Sequence, residues 1–480
     1  MTAERIGFWL GPALFALTLV LGAPEDIPVE AWRCAGLVAW IATWWMTQPV
    51  PLPATGLLPF VVLPFTGGGT AREVAGDYYS PIIFLLLGGA FLALAIERTG
   101  LHKRLAAWIL DRIGGRGGEF GLLLGFMIAA AILSNIISNT STALIMMPVA
   151  LAVLAGGSIA EHKPAGFLTE GLYGALPMGL AFAASIGGLG TIIGSPTNAI
   201  GADLLREISG VEISFARWAM FGVPVVVLGV PLAAFIIARV QKIADHPFDI
   251  ASARAAIDPP GEWNSAERRL IPLIAITFVL WMLRGWIAPF LPEDSLTDGT
   301  IAIAASLALF VLPDGSGRHM LEWHEADRAP WGVLLMFGGG LALAGGMMRT
   351  GLADWLGNAL LFLDGVPIVV VAMALVAMVI LITEFASNVA TASGIMPIVA
   401  ALAVALGGPD NAEVVVLLAM PVALAASWGF VLPAGTGPNA IAWSTGHLRL
   451  PRLIKAGFAL DAAGVFLIVS VVFAVSALAA

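Results

Sequence analysis

The chain has 480 residues, of which 59% are hydrophobic and only 11% are charged, with a net charge of −9. Soluble domains carry roughly 25% charged residues, so the composition excludes an ordinary soluble protein and points to a bilayer. The single cysteine, Cys34, excludes an intrachain disulfide, and the six histidines are scattered rather than spaced as metal ligands.

In chain order, apolar runs predict membrane spans over residues 6–21, 31–46, 51–65, 81–96, 171–192, 218–238, 270–286, 300–312, 330–348, 414–432 and 454–480. A helix needs about 20 residues to cross a bilayer. The first run follows Arg5 as a signal peptide would, but Glu25, Asp26 and Glu30 stand where a small-residue cleavage site belongs. It is therefore predicted to be a retained span. Two more apolar stretches, 121–154 and 366–405, are too long for one span, and each carries a polar cluster at its centre. These predict re-entrant hairpins. The expected fold is an all-α polytopic membrane protein with about eleven transmembrane helices and two re-entrant hairpins.

Basic residues sort by loop. With the N-terminus inside, the inner segments hold Arg5, Lys103, Arg104, Arg112, Arg116, Lys163, Arg239, Lys242, Arg268, Arg269, Arg328, Arg452 and Lys455, among others. The outer segments are mainly acidic, with Glu25, Asp26, Glu73, Asp77, Glu293 and Asp294. By the positive-inside rule this predicts a cytoplasmic-membrane protein with its N-terminus inside and its C-terminus outside.

The chain also repeats itself. Arg98 and Arg349 each open an RTGL core, and a polar triplet follows some forty residues on, Ser138-Asn139-Thr140 and Ser387-Asn388-Val389. Next come GSPTN at 194–198 and GTGPN at 435–439. Five predicted crossings separate the RTGL cores, and an odd number reverses direction, so the repeat is inverted, as in many alternating-access transporters. The segments 102–113 and 353–363 either lie along the membrane surfaces or continue the preceding helices. The expected organisation is a first scaffold segment over 1–76 and a first repeat core over 77–240 with the inward hairpin and a broken helix. A cytoplasmic linker over 241–269 and a second scaffold segment over 270–329 follow. The second core, 330–480, holds the outward hairpin, a broken helix and the terminal helix.

A helix broken at mid-membrane exposes carbonyls at one end and N–H groups at the other. Carbonyls and hydroxyls suit Na⁺, and the N–H end suits a carboxylate. Serine, asparagine and threonine can also merely glue helices together, but four matched clusters in one order favour a site. Asn139 and Asn388 are the strongest candidates, since a buried carboxamide must find partners. Ser134 stands five positions before Asn139 and Thr383 five before Asn388. Glu384, the one acid inside a hairpin, could exchange protons or pair with a backbone donor. The second reading is favoured, because the first repeat has no acid at the matching place. No Lys or Arg lies at either tip, so an anion there would need cations beside it.

The paired Ser-Asn-Thr-type triplets and the paired breaks resemble the divalent anion/sodium symporter family, which includes the sodium-coupled dicarboxylate transporters. The resemblance spans nearly the whole chain. It implies an elevator-type transporter, normally a homodimer, with a fixed scaffold and a moving domain of hairpins and broken helices. By match to the family's motifs, one sodium site involves Ser134, Ser138, Asn139 and Gly194, and the other Thr383, Ala386, Asn388 and Gly435. The substrate carboxylates meet Ser138, Asn139, Thr140, Ser195 and Pro196 on one side and Ser387, Asn388, Val389 and Gly437 on the other. The chain departs from the commonest pattern at Val389, where threonine is usual, and at Gly437, where proline is frequent. A citrate-preferring member also has valine there. The expected function is sodium-coupled symport of C4-dicarboxylates such as succinate, malate and fumarate. The alternatives are citrate or other tricarboxylate symport and sodium-independent carboxylate exchange. A channel would want a continuous polar path, and an intramembrane enzyme a nucleophile with its base; neither pattern is present.

Overall fold

A computed structural model of the chain describes residues 2–113, 117–157, 169–246, 248–255, 261–359, 365–407 and 411–479. Among these residues, nine helices are long and apolar enough to cross a membrane. They are Ala3–Val20, Pro81–Thr99, Asn139–Gly156, Phe215–Gln241, Ser265–Phe290, Trp331–Arg349, Ile368–Phe385, Asn388–Gly407 and Leu450–Ala479. Shorter apolar helices stand between them, Gly118–Ser134, Leu172–Gly187, Asp298–Val311 and Ala412–Ala425 among them.

The count differs from the eleven expected spans for three physical reasons, the first being that the runs over 171–192, 300–312 and 414–432 form the shorter helices Leu172–Gly187, Asp298–Val311 and Ala412–Ala425. Both long stretches are split, and three of their four arms pass as crossings on length and composition alone. Conversely, Val29–Thr47 is a full helix that does not qualify as apolar, and the run over 51–65 folds as Leu52–Thr55 and Leu58–Thr66. The first stretch breaks over 135–138, where Ser138 turns extended and caps the next helix by accepting from Ser141 N. The second breaks at Ala386, whose backbone is extended. The breaks after the repeated Gly residues are equally clear: Leu172–Gly187 gives way to Pro196–Ser209, and Ala412–Ala425 to Gly437–Ser444. Proline at the first turn starts both second helices, where its missing N–H costs nothing.

The RTGL segments form separate helices, Leu101–Ile113 and Leu352–Ala359. Gly100 and Gly351 between them and the preceding helices have φ of +80° and +77°, a conformation that favours glycine and ends a helix. Simple continuation of the preceding helices is thereby excluded. The end of the second segment, beyond Ala359, lies outside the described residues, as do Arg116 and Lys163.

The two halves are interlaced. Pro81–Thr99 packs on Asp298–Val311, and Trp331–Arg349 packs on the helices over 52–66. These approaches are close because small residues meet backbone: a Cβ on Gly339 would lie 2.1 Å from Gly56 O, and one on Gly88 2.7 Å from the Ala302 carbonyl carbon. The RTGL arginines brace the same seams. Arg98 reaches into the second half, 2.5 Å from Asp314 and 3.2 Å from Glu325, and also donates to the carbonyls of His319 and Met320. Arg349 reaches into the first half, 2.7 Å from Asp77 and 2.8 Å from Gly68 O. Burial opposes ionisation of Asp314, yet the N–H and hydroxyl of Ser316 and the Arg98 guanidinium outweigh it and hold the carboxyl far below the usual carboxylate range.

Removing one partner of a buried ion pair costs about 3–5 kcal/mol, because the other charge is stranded. Arg98→Ala is therefore expected to destabilise the protein more than Arg349→Ala. The Arg98–Asp314 side chains are 16% and 6% exposed, against 29% and 21% for Arg349–Asp77. Thermal unfolding of the two purified variants, followed by tryptophan fluorescence, checks the order.

Candidate functional site

Each tip closes on itself through one hydroxyl, one amide and one carbonyl. At the first tip, Ser134 Oγ donates to Ala184 O at 2.6 Å, and the end of the Asn139 side chain lies 2.7 Å from that hydroxyl. The same Asn139 atom is 3.2 Å from Gly194 O and 3.2 Å from Ala184 O. At the second tip, Thr383 Oγ1 is 2.8 Å from Ala426 O and 2.9 Å from Asn388 Oδ1. A hydroxyl has one proton to give. Each tip thus gathers more oxygens than its own donors serve, unless the amide presents its nitrogen. A small monovalent cation satisfies such a set, with the amide oxygen turned inwards.

Gly194 completes the first cage. A Cβ there would lie 2.6 Å from Gly188 O and 2.9 Å from Ser134 O. Gly435 holds the matching place more loosely, with its nearest atoms, Leu432 O and Glu384 O, at 3.4 and 3.5 Å from such a Cβ. Asn198 and Asn439, the last residues of GSPTN and GTGPN, tie the breaks together. Asn198 Nδ2 donates to Gly188 O and Thr191 O, and Asn439 Nδ2 to Leu432 O.

The other predicted residues sort into caps and walls. Ser138 and Ser387 accept from Ser141 N and Ala390 N at the starts of their helices. Ser195 stands at the start of Pro196–Ser209 with no cap bond from its side chain. Thr140 meets the other half directly: a Cβ on Gly437 would be 2.4 Å from Thr140 Oγ1. Gly437–Ser444 packs along Asn139–Gly156, and Pro196–Ser209 along Asn388–Gly407. The second helix of each break therefore leans on the helix that follows the opposite polar triplet. Val389 is half-buried among apolar side chains, and Ala386 is buried. A cavity of about 190 Å³ opens beside the first tip, lined by Ser138, Ser141, Gly194 and Pro196 and, from outside the tip, by Glu97 and Arg328. Ser387, Asn388 and Val389 do not line it.

Several groups escaped the sequence reading. The carbonyls of Ala184 and Ala426 belong to a repeated Ala-Ala-Ser at 183–185 and 425–427 that could have been found by comparing the halves. Matched pairs of buried oxygens have no hydrogen-bond partner among the described residues: Thr142 and Thr391, Ser185 and Ser427, and the amide oxygens of Asn198 and Asn439. Buried polar atoms are almost always satisfied, so their recurrence in both halves suits sites that take ions and substrate. Arg328 supplies a base at the cavity although none sits on a tip.

A family model described as the sodium:sulfate symporter transmembrane region matches residues 6–477. The chain belongs to the sodium:sulfate symporter family. Within it, the chain is 37% identical to the sodium-dependent dicarboxylate transporter SdcS of Staphylococcus saprophyticus, over 98% of this chain and 91% of that one. It is 36% identical to SdcS of Staphylococcus aureus strain MRSA252 over the same shares. Among solved structures, the YdaH transporter of Alcanivorax borkumensis superposes with a TM-score of 0.53 at 15% identity, covering 83% of this chain and 86% of that one. That likeness concerns the fold alone.

The unequal cages give a direct test. Gly194→Ala places a methyl against two backbone carbonyls that cannot swing away, whereas Gly435→Ala makes ordinary contacts. Sodium activation of uptake should weaken at least about tenfold in the first variant, equivalent to about 1.4 kcal/mol, and stay near wild type in the second. Uptake titrated with sodium in proteoliposomes measures both.

Proposed function

We propose that the protein is a sodium-coupled symporter of C4-dicarboxylates such as succinate, malate and fumarate, working as an elevator. The observation that carries this reading is the pair of oxygen cages at the two tips, each beside the N-terminus of a helix in the same core. Cages of carbonyl, hydroxyl and amide oxygen suit sodium. N–H groups and the positive ends of the helices suit a carboxylate. The names of the SdcS relatives, sodium-dependent dicarboxylate transporters, support the same substrate and ion.

In this reading Ser134, Asn139, Gly194 and the Ala184 carbonyl hold one ion, and Thr383, Asn388, Gly435 and the Ala426 carbonyl hold another. Ser138, Ala386 and the unpartnered oxygens lie beside them. The dianion spans the tips between Ser138, Asn139, Thr140, Ser195 and Pro196 and the facing Ser387, Asn388, Val389 and Gly437. The two stretches over 121–154 and 366–405 act as re-entrant hairpins in an eleven-span inverted repeat. The distribution of basic loops supports an N-terminus inside and a C-terminus outside. In this topology Arg328, which lines the cavity, stands on the cytoplasmic side. A homodimer through the scaffold completes the expectation.

Ions and substrate should bind with positive coupling, because each offsets charge the other leaves uncompensated, and linkage makes the effect reciprocal. Calorimetric titration with succinate in sodium and in choline is expected to give much tighter binding in sodium. Equal affinity in both salts, with exchange of internal for external carboxylate intact, would replace symport by exchange. Asn139→Ala and Asn388→Ala should each reduce sodium-driven succinate uptake at least about tenfold while leaving the unfolding temperature close to wild type. Loss of one hydrogen bond to a charged group accounts for about 1.5–3 kcal/mol.

Val389 favours a second reading, transport of citrate or another tricarboxylate, since valine has the shape of threonine but no hydroxyl to donate. Val389→Thr should raise the ratio of succinate to citrate uptake, measured in the same vesicles. An unchanged ratio with both substrates carried removes this position from substrate choice.

A further inference from the structure

One difference between the two halves is a pair of buried acids in the second. Glu384 directly follows Thr383 at the second tip and is buried. Its carboxylate accepts from Val431 N at 2.8 Å through one oxygen and from Leu432 N at 2.9 Å through the other. Asp461, buried on the helix Leu450–Ala479, lies against the Glu384 carboxyl and the Phe430 N–H, and its Oδ1 has no partner among the described residues. Two successive N–H groups of one unwound segment, at 431 and 432, are therefore gathered by Glu384, with Asp461 of a second helix beside it.

The first half has neither acid. Asn135 follows Ser134 where Glu384 follows Thr383. The helix Phe215–Gln241 places Gly222 against Leu189 O and Gly229 against Trp428, as the terminal helix places Gly457 against Phe430 O and Gly464 against Trp428. Counting four residues from the first glycine of each pair sets Val226 opposite Asp461. In this half Asn135 spends its amide N–H on Ala131 O, and Thr191 donates to Asn135 O.

An unwound segment inside a membrane has no water to satisfy its donors, and each unmet one is costly. The Glu384 carboxylate, acceptor at both oxygens, answers two donors at once in a way an amide cannot. The segment it holds runs from Ala426 O, the carbonyl under Thr383, to Gly435, a Cβ on which would lie 3.5 Å from Glu384 O. Both are oxygen or backbone elements of the second cage. The loose packing at Gly435, compared with Gly194, leaves this cage dependent on something other than backbone crowding for its shape.

We propose that Glu384 and Asp461 are positioning residues that clamp the segment over 428–436 and so set the sodium affinity of the second half-site, tying that half-site to the terminal helix. The link to sodium rests on the symporter reading above; the clamp does not. Neither residue touches the substrate in this assignment, so they act through the segment they hold.

The test has two arms, both on the full-length protein, with Glu384→Gln, Glu384→Ala, Asp461→Asn and Asp461→Val. The first arm follows hydrogen exchange of backbone amides by mass spectrometry in lipid nanodiscs. Glu384→Gln should speed exchange over 430–432 at least about tenfold and leave 188–194 unchanged, and Glu384→Ala should do so further. Unaltered exchange at 430–432, or equal acceleration in both breaks, overturns the clamp. The second arm measures uptake in proteoliposomes. Sodium half-saturation should rise at least about fivefold in Glu384→Gln and in Asp461→Val, with Asp461→Asn closer to wild type. Substrate half-saturation at saturating sodium should stay within about twofold. A normal sodium titration in Glu384→Gln despite faster exchange overturns the positioning role. A wild-type protein indifferent to sodium would instead overturn the symporter reading, and the exchange arm would still decide the clamp. Glu384→Gln and the Asp461 variants keep the test open if Glu384→Ala does not fold.

Discussion

Within a bilayer no water is at hand to satisfy a backbone group that leaves a helix, and four interruptions of helix in this protein exist only because side chains and neighbouring carbonyls answer for it. The smallest unit of that answer is the trio of hydroxyl, amide and carbonyl at each tip, Ser134–Asn139–Ala184 and Thr383–Asn388–Ala426. It joins both arms of a hairpin to the break of the following helix. Once the three are joined, oxygens crowd round the amide, and a cation suits them where the amide turns its oxygen inwards. In the proposed sites, the same contacts that close the structure gather the oxygens that would face a cation.

Much of this was legible in the sequence because it was written twice. Triplets, breaks and RTGL cores recur in one order, and repetition separates a functional polar residue from helix glue. What escaped reading did so for definable reasons. Ala184 and Ala426 act through carbonyls, which every residue has, so only the recurrence of Ala-Ala-Ser marks them. Glu384 finds its donors 47 and 48 residues away in the segment it holds, and no local pattern encodes such a distance. Arg328 reaches the cavity from outside the tip, so looking for bases only at the tips missed it. Apolar length alone does not separate the arms of the two split stretches from full spans, since three of the four arms are long and apolar enough to cross. The break itself is marked by capping residues, not by any loss of hydrophobicity.

The repeat is a template that each half has filled differently. Gly194 is crowded by backbone while Gly435 has room. Thr140 presents a hydroxyl to the opposite half, and Val389 at the matching place presents methyl groups to an apolar neighbourhood. The tighter half is shaped by close backbone packing and the looser one by the acids behind it. Two tips of unlike construction are not equivalent in energy, even where the sequence repeats itself in outline.

The crossed arginines have a consequence for how the molecule is made. Arg98 finds Asp314 216 residues further along the chain, and Arg349 finds Asp77 272 residues back. As the ribosome delivers the chain, the first core helix is complete long before its counter-charge exists. Its guanidinium must wait in the hydrated rim of the membrane, and the seam it belongs to can close only after the second half has been inserted. Neither half is a finished object that later docks with the other. An early helix, Pro81–Thr99, is locked by a loop made later, and a late helix, Trp331–Arg349, is locked by a segment made earlier.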